Sequence, residues 1–398
     1  MRPLVKRQYI LPFVLITSLF FLWGAAHSIL DVLNKHFQLV IPGMNHAHSS
    51  MVQVMFYLGY FVMAIPAGII IDRRGYRTGI IVGLLLYGFG ALLFWPGAQI
   101  MSFEFFLMSL FIIACGLVFL ETAANPYVTE LGDVETAASR LNLAQSLNGL
   151  GCICGPLFGG LLLFSDGGNE RIALPYVVMG IVVLAVALLF TRVKLPEIAH
   201  QDEHETKATA EKHRISSLFR NKGFLFGLFA LFSYEVSEIS INSFFINYVA
   251  DGGWMNARDA SIALSFGGLS LFMLGRVLGS FIMQHVDSER VLRVCAIGTF
   301  ITTLAVVLNM GVLSLGALVL IYVFESIMFP TIFALSLKDL GPLTKRASSL
   351  LMMTPIGGAV GPLMMGLVAD ASTMSVAFIV PLIGFANVAA YAFSDKKV

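Results

Sequence analysis

The sequence predicts an all-helical membrane protein with twelve spans in two six-helix bundles, and three observations lead there. The 398 residues are 57% hydrophobic and only 12% charged, with a mean hydropathy of +0.84, well beyond the roughly half-apolar composition of a soluble domain. Apolar stretches of about 20 residues, the length a hydrocarbon core of about 30 Å demands of a helix, recur from end to end. The halves also carry matching motifs: Gly151 to Gly160 reads GCICGPLFGG and Gly357 to Gly366 reads GGAVGPLMMG, and Pro126 and Pro330 fall in spans four and ten. Glycine lets membrane helices approach closely and proline loosens the backbone, so their paired placement points to a duplicated bundle, with close packing alone as the simpler use.

The spans follow in order. Arg2, Lys6 and Arg7 precede the first apolar run, 9 to 33. This run has no small-residue cleavage site and continues through polar Asp31, so it reads as a transmembrane helix rather than a removed leader. Breaks at Gly, Pro and charged residues then delimit 49 to 71, 78 to 98, 103 to 129, 139 to 164 and 172 to 193. Residues 194–222 contain Gln201-Asp202-Glu203-His204-Glu205 and several basic residues, the composition of a solvated linker. The second half reads 223 to 249, 259 to 284, 290 to 310, 313 to 337, 346 to 369 and 374 to 393. The expected domains are therefore 1–193, a linker at 194–222, and 223–398.

Alternating the connections puts 21 of the 25 Lys and Arg on the side of both termini, three on the other side, and Arg276 within the membrane. Short loops rich in Lys and Arg resist translocation, so both termini and the linker are expected in the cytoplasm, as in a bacterial inner-membrane protein. The net charge of +1 gives no reason to expect nucleic acid or an acidic partner. Cys115, Cys152, Cys154 and Cys295 all lie in apolar stretches, which argues against a disulfide framework or a metal site. With no phosphate-cradling loop, ligand cluster or sizeable soluble domain, the sequence predicts neither an enzyme nor a cofactor, and it reads as a monomer in the bilayer.

Gly68-Ile69-Ile70-Ile71-Asp72-Arg73-Arg74-Gly75-Tyr76-Arg77, at the end of span two, resembles the loop signature of the major facilitator superfamily. Gly68, Asp72, Arg73, Gly75 and Arg77 are its candidate gating residues. The acid can meet a neighbouring helix end while the arginines stay among headgroups. Further motifs cover nearly the whole chain: Phe20-Phe21-Leu22-Trp23, Phe94-Trp95-Pro96, Leu120-Glu121-Thr122-Ala123-Ala124-Asn125-Pro126, Arg140-Leu141-Asn142-Leu143-Ala144-Gln145 and Pro330-Thr331-Ile332-Phe333. They resemble the L-fucose:proton symporter family, including its glucose/galactose transporter branch.

That resemblance implies proton coupling by Asp31 and Glu121 and sugar contacts by Gln145 and Asn148. Intramembrane carboxylates are costly when ionised, which independently marks Asp31 and Glu121 as functional, with a structural hydrogen bond as the alternative. Gln145 and Asn148 share one helix face and offer donors and acceptors without charge; Asn142 and Asn125 extend that surface. Helix-to-helix hydrogen bonding is the competing use of such amides.

Tyr234, Glu238 and Asn242 are spaced by four in span seven and form a stripe expected to line the cavity. Arg276 is the only basic residue expected inside a span and calls for a carboxylate partner: Glu121, Glu238 or Glu325, the last being a purely structural pair. His27 and Ser28 stand where fucose-transporting members carry paired asparagines, so the expected substrate widens from L-fucose to a related hexose such as glucose or galactose. His27 also has the bland reading of a hydrogen-bonded packing residue. The expected function is proton-coupled import of a monosaccharide. A drug or sugar/proton antiporter, suggested by the glycine–proline pattern of span five, and a nontransporting sugar sensor are the alternatives.

Overall fold

The computed structural model describes residues 7–132, 137–165, 170–192, 215–283, 285–338 and 350–394, together with Val5, Leu340, Leu343 and Ala347. Most of the linker, residues 193–214, lies outside the described residues, as do the side chains of Asp72 and Asn142. Helices dominate because the hydrocarbon offers backbone N–H and C=O groups no partner, and an α-helix pairs them within itself.

Six spans make up the first half: α1 (Ile10–Val40), α2 (Met51–Arg74), α3 (Tyr76–Leu92 and Phe94–Ile100), α4 (Phe103–Glu130), α5 (Ala137–Leu163) and α6 (Glu170–Arg192). The second half contains α7 (Lys222–Asp251) and α8, built from Ala257–Ala263, a π-turn at Leu264–Leu269 and Ser270–Ile282. It continues with α9 (Ser288–Val307), α10 (Val312–Glu325 and Met328–Leu337), α11 (Gly357–Ala371) and α12 (Met374–Ala377 and Ile379–Phe393). Eleven helices among the described residues are long and apolar enough to cross a membrane. The twelfth, α11, is cut short because Pro355 and the Gly357-Gly358 pair turn its entry into a 3-10 segment, Thr354–Ile356.

The chain divides into two compact units. In the first, α1 runs along α5, α3 along α4 and α6, and α2 along α4. In the second, α7 runs along α11, α9 along α10 and α12, and α8 along α10. Each of these four pairs in the first unit therefore has its counterpart six helices later in the second, where α7 also runs along α12. Large apolar side chains such as Ile65, Leu188, Val294 and Leu367 stay exposed on the outside of each unit, the dress of a surface that meets lipid.

Two departures from the hydropathy reading matter. Helix α1 runs to Val40 rather than ending near residue 33, because Asn34, Lys35 and His36 are buried at 0%, 5% and 6% exposure instead of entering water. Unit membership also differs from a simple cut at the linker: residues 43–50 belong to the second unit and 255–265 to the first. The turn His46–Ser49 is seated on α11, where the His46 and Ala47 backbone N–H groups each donate 2.8 Å bonds to the Asp370 carboxylate. His46 Nδ1 lies 2.8 Å from the same carboxylate and Nε2 lies 3.4 Å from Asp251.

Candidate functional site

In the first unit, the seam between α1 and α5 is made of backbone. A Cβ on Gly151 would meet the Phe21 carbonyl and, at 2.9 Å, the Ala25 nitrogen; one on Gly155 would meet Ser28 Oγ and, at 2.9 Å, the Ala25 carbonyl. From this seam the Asn148 side chain donates to the Phe20 carbonyl at 3.2 Å, so one of its uses is the helix-to-helix bond. Its Oδ1 faces the Cys152 thiol at 3.9 Å. Gln145, one turn earlier, is half-buried on the same helix. Ser28 is buried, with its hydroxyl turned back to the Gly24 carbonyl at 3.0 Å. His27 packs edge-on against Phe56 and Tyr57, and its Nε2 lies 2.8 Å from the Tyr57 hydroxyl, the hydrogen-bonded packing geometry.

Asp31 is buried about two and a half turns before the end of α1. Helix α4 carries Glu121 and Asn125 one turn apart, so the carboxyl and the amide share a face. Asn125 Oδ1 is buried with no hydrogen-bond partner, an acceptor whose desolvation is uncompensated unless a donor arrives. Sequence reasoning missed a polar stripe on α2. Gln53 is 1% exposed with both amide atoms unpartnered. Tyr57 binds His27, and the Tyr60 hydroxyl is buried within electrostatic reach of Glu121. The spacing of Gln53, Tyr57 and Tyr60, four and then three, was the legible signal.

In the second unit, Tyr234 is fully buried and donates its hydroxyl to the Glu325 backbone carbonyl at 3.2 Å, and it also lies within side-chain hydrogen-bonding reach of Glu238, one turn on. Glu238 is half-buried, and Asn242 Oδ1 is buried without a partner. Of the carboxylates expected to face Arg276, Glu238 is within electrostatic reach of it; the Arg276 Nε donates to the Ser326 carbonyl at 3.3 Å, and its guanidinium lies 4.7 Å over the Phe272 ring. Pro330 explains this. An unbroken helix would deliver the N–H of residue 330 to the carbonyl of residue 326, and proline has none to deliver. Two side chains from other helices, Tyr234 and Arg276, thus cap the carbonyls freed where α10 breaks. Both Glu325 carboxyl oxygens are buried without a hydrogen-bond partner, so Glu325 does not pair with Arg276. Arg276 is also not the buried base of the spans: its side chain is exposed, whereas Arg140 is fully buried and bonds the Val128 carbonyl at 3.0 Å.

At the candidate gating loop, Gly75 takes φ +81° between α2 and α3, a left-handed turn that suits glycine. Arg77 then reaches the last turn of α6, donating to the Thr191 carbonyl at 2.7 Å and the Phe190 carbonyl at 3.4 Å. The Asp72 side chain, expected to meet a helix end, lies outside the described residues; Arg77 meets one, as the dipole favours for a cation at a helix C-terminus. Arg293 repeats the device on α12, donating to the Ala392 carbonyl at 3.0 Å. Gly68 has open space around it and Arg73 is exposed.

No cluster of three or more metal-ligating side chains occurs among the described residues. A cavity of about 410 Å³ at one end of the second unit, lined by Tyr248, Asp251, Trp254, Asn309 and Thr373, contains none of the candidate residues.

Comparison with known proteins covers the whole chain. The description "Major Facilitator Superfamily" matches residues 9–354. The "L-fucose-proton symporter" of Escherichia coli K12 is 36% identical over 411 residues, covering 97% of this chain and 93% of the relative. The "Glucose/galactose transporter" of Brucella abortus biovar 1 is 33% identical over 403 residues, covering 98% and 96%. The crystal structure of the transporter FucP in the outward conformation matches with a TM-score of 0.70 at 36% identity, covering 97% of this chain and 99% of that one. A D-xylose-proton symporter structure matches at a TM-score of 0.79 and 12% identity, a likeness of fold alone.

Proposed function

Because the chain belongs to the Major Facilitator Superfamily, we propose that it is a proton-coupled symporter that imports a monosaccharide by alternating access. Whole-length similarity to relatives named for L-fucose–proton symport and for glucose/galactose transport supports the substrate class. Within the molecule, one observation carries the reading: Glu121 and the unpartnered Asn125 oxygen share a face of a mid-membrane helix. A carboxyl that can load a proton then stands one turn from an acceptor suited to a hydroxyl.

The proposed roles follow from that pairing. Asp31 and Glu121 take up and release the proton; the empty, ionised form is costly in hydrocarbon, and protonation removes that cost. Asn125, Asn142, Gln145, Asn148, Glu238 and Asn242 read sugar hydroxyls, with His27, Ser28 and Tyr234 holding the neighbouring backbone and rings. The moving parts are the six-helix bundles expected at 1–193 and 223–398, joined by 194–222, with both termini in the cytoplasm of a bacterial inner membrane and the chain working as a monomer. Each pH unit supplies about 1.4 kcal/mol per proton and each 100 mV about 2.3 kcal/mol per charge, enough for one proton to concentrate a neutral sugar.

Counterflow in proteoliposomes with a panel of hexoses and deoxyhexoses names the sugar. Sugar addition to a lightly buffered suspension is expected to make the medium alkaline. Glu121→Gln is expected to abolish gradient-driven accumulation while sparing exchange, and unchanged accumulation in that variant would remove Glu121 from the proton path.

A further inference from the structure

Glu325 has no task in the mechanism above. It ends the first piece of α10, at the middle of the span Val312–Leu337, with 0% exposure and neither carboxyl oxygen hydrogen-bonded. Its own backbone carbonyl is bound by Tyr234, which fixes the residue while leaving the carboxyl unbonded. The neighbouring cation, Arg276, is occupied with the Ser326 carbonyl. An ionised carboxylate is costly under these conditions, and a residue that served only to fill space would be apolar.

A second, independent observation concerns the repeat. Glu121 stands five residues before Pro126 in α4, and Glu325 stands five residues before Pro330 in α10. Helices α4 and α10 are counterparts, since each receives the second and third helix of its own unit. Glu325 is therefore the repeat mate of the carboxyl proposed to carry the proton in the first unit.

The groups facing Glu325 can be named. Helix α7 contributes Glu238, which acts on Glu325 through space, and Tyr234, which binds its backbone carbonyl; Glu235 and, from α8, Arg276 act on Tyr234. Within α9, Cys295 is the titratable residue of 294–307, and Met328–Leu337 contains none.

We propose that Glu325 is a second proton carrier, working beside Glu238 and in addition to the proton handled by Asp31 and Glu121. Its carboxylate forms an O–H bond with a proton from the outer solution and breaks that bond to return the proton to the cytoplasmic solution, so each sugar travels with more than one proton. This rests on the symport reading.

The test measures sugar and proton uptake together in proteoliposomes with the membrane potential clamped at zero. At equilibrium, one proton per sugar gives about tenfold accumulation per pH unit and two give about a hundredfold, from about 1.4 kcal/mol per proton. The wild type is expected near the upper figure and Glu325→Gln near the lower, with counterflow retained in the variant. A wild-type ratio of one proton per sugar overturns the inference without recourse to any variant, and so does an unchanged ratio in Glu325→Gln. Sugar uptake with no proton movement in the wild type overturns the symport reading instead, and the inference with it.

Discussion

The break in α10 makes a quantitative prediction about Arg276. The Ser326 carbonyl accepts from Arg276 Nε at 3.3 Å because Pro330 has no N–H to offer. Arg276→Met keeps an unbranched apolar stem and removes the donor together with the guanidinium over Phe272, a loss common to both backgrounds. A buried carbonyl left unpaired costs about 1–3 kcal/mol, and the long bond and exposed side chain argue for the lower end, about 1 kcal/mol. At about 2–4 °C per kcal/mol for a unit of this size, thermal unfolding in detergent should fall by about 2–4 °C. Pro330→Ala restores the missing N–H, so in that background the same Arg276→Met change should cost less than half as much. The coupling between the two sites should approach about 1 kcal/mol, the scale at which residues sharing a partner depart from additivity. The four melting curves form the cycle. Equal costs in the two backgrounds would refute the claim that the arginine substitutes for the proline's absent donor.

Two further perturbations test the seam and the loop. Gly151→Ala drives a methyl into the Phe21 carbonyl and to 2.9 Å from the Ala25 nitrogen, where ordinary contact begins at 3.4 Å, so α1 and α5 must open by more than about 0.5 Å and the 3.2 Å Asn148–Phe20 bond is pulled out of hydrogen-bond reach. Overpacking of about 1–3 kcal/mol should lower the melting temperature and weaken sugar binding in counterflow, whereas Gly68→Ala, in open space, should do neither; equal behaviour of the two variants would contradict the backbone seam. Asp370→Ala removes the acceptor of the His46 and Ala47 N–H bonds. Hydrogen exchange at those amides should quicken about tenfold for each 1.4 kcal/mol lost, and unchanged protection would show that the turn is held by other contacts.

Hydropathy and charge were sufficient to read the spans, because a membrane helix announces itself by length. They failed at Asn34, Lys35 and His36, since a scale that scores residues singly cannot know that three polar neighbours are covered by protein rather than water. The matching glycine–proline runs announced the repeat, and the structure gives the reason: Gly151 and Gly155 face α1 as Gly357 and Gly361 face α7. Pro330 was visible as a break, but which side chains would cap the freed carbonyls depends on helices far away in sequence, so the bond from Arg276 to the Ser326 carbonyl was not foreseen. The same limit applies to Asn148 and Tyr234, whose polar atoms were legible while their partners were not. Gln53, Tyr57 and Tyr60 were readable by periodicity and were overlooked among larger signals. Assignment of residues 43–50 to the second unit has no sequence signature at all, because it rests on the fit of a short turn against Asp370 and Gly366.

The glycine seam between α1 and α5 also bears on how such a protein can evolve. Positions where backbone meets backbone tolerate almost no substitution, so a lineage drifting toward a new sugar cannot explore them. Variation is channelled to half-buried neighbours such as Gln145, on the same helix as the seam glycines. Selection can rewrite specificity there one side chain at a time while the seam is inherited intact. A mutational library over α5 should therefore show alternating intolerance and freedom along a single helix, and the tolerant positions are where substrate preferences diverge.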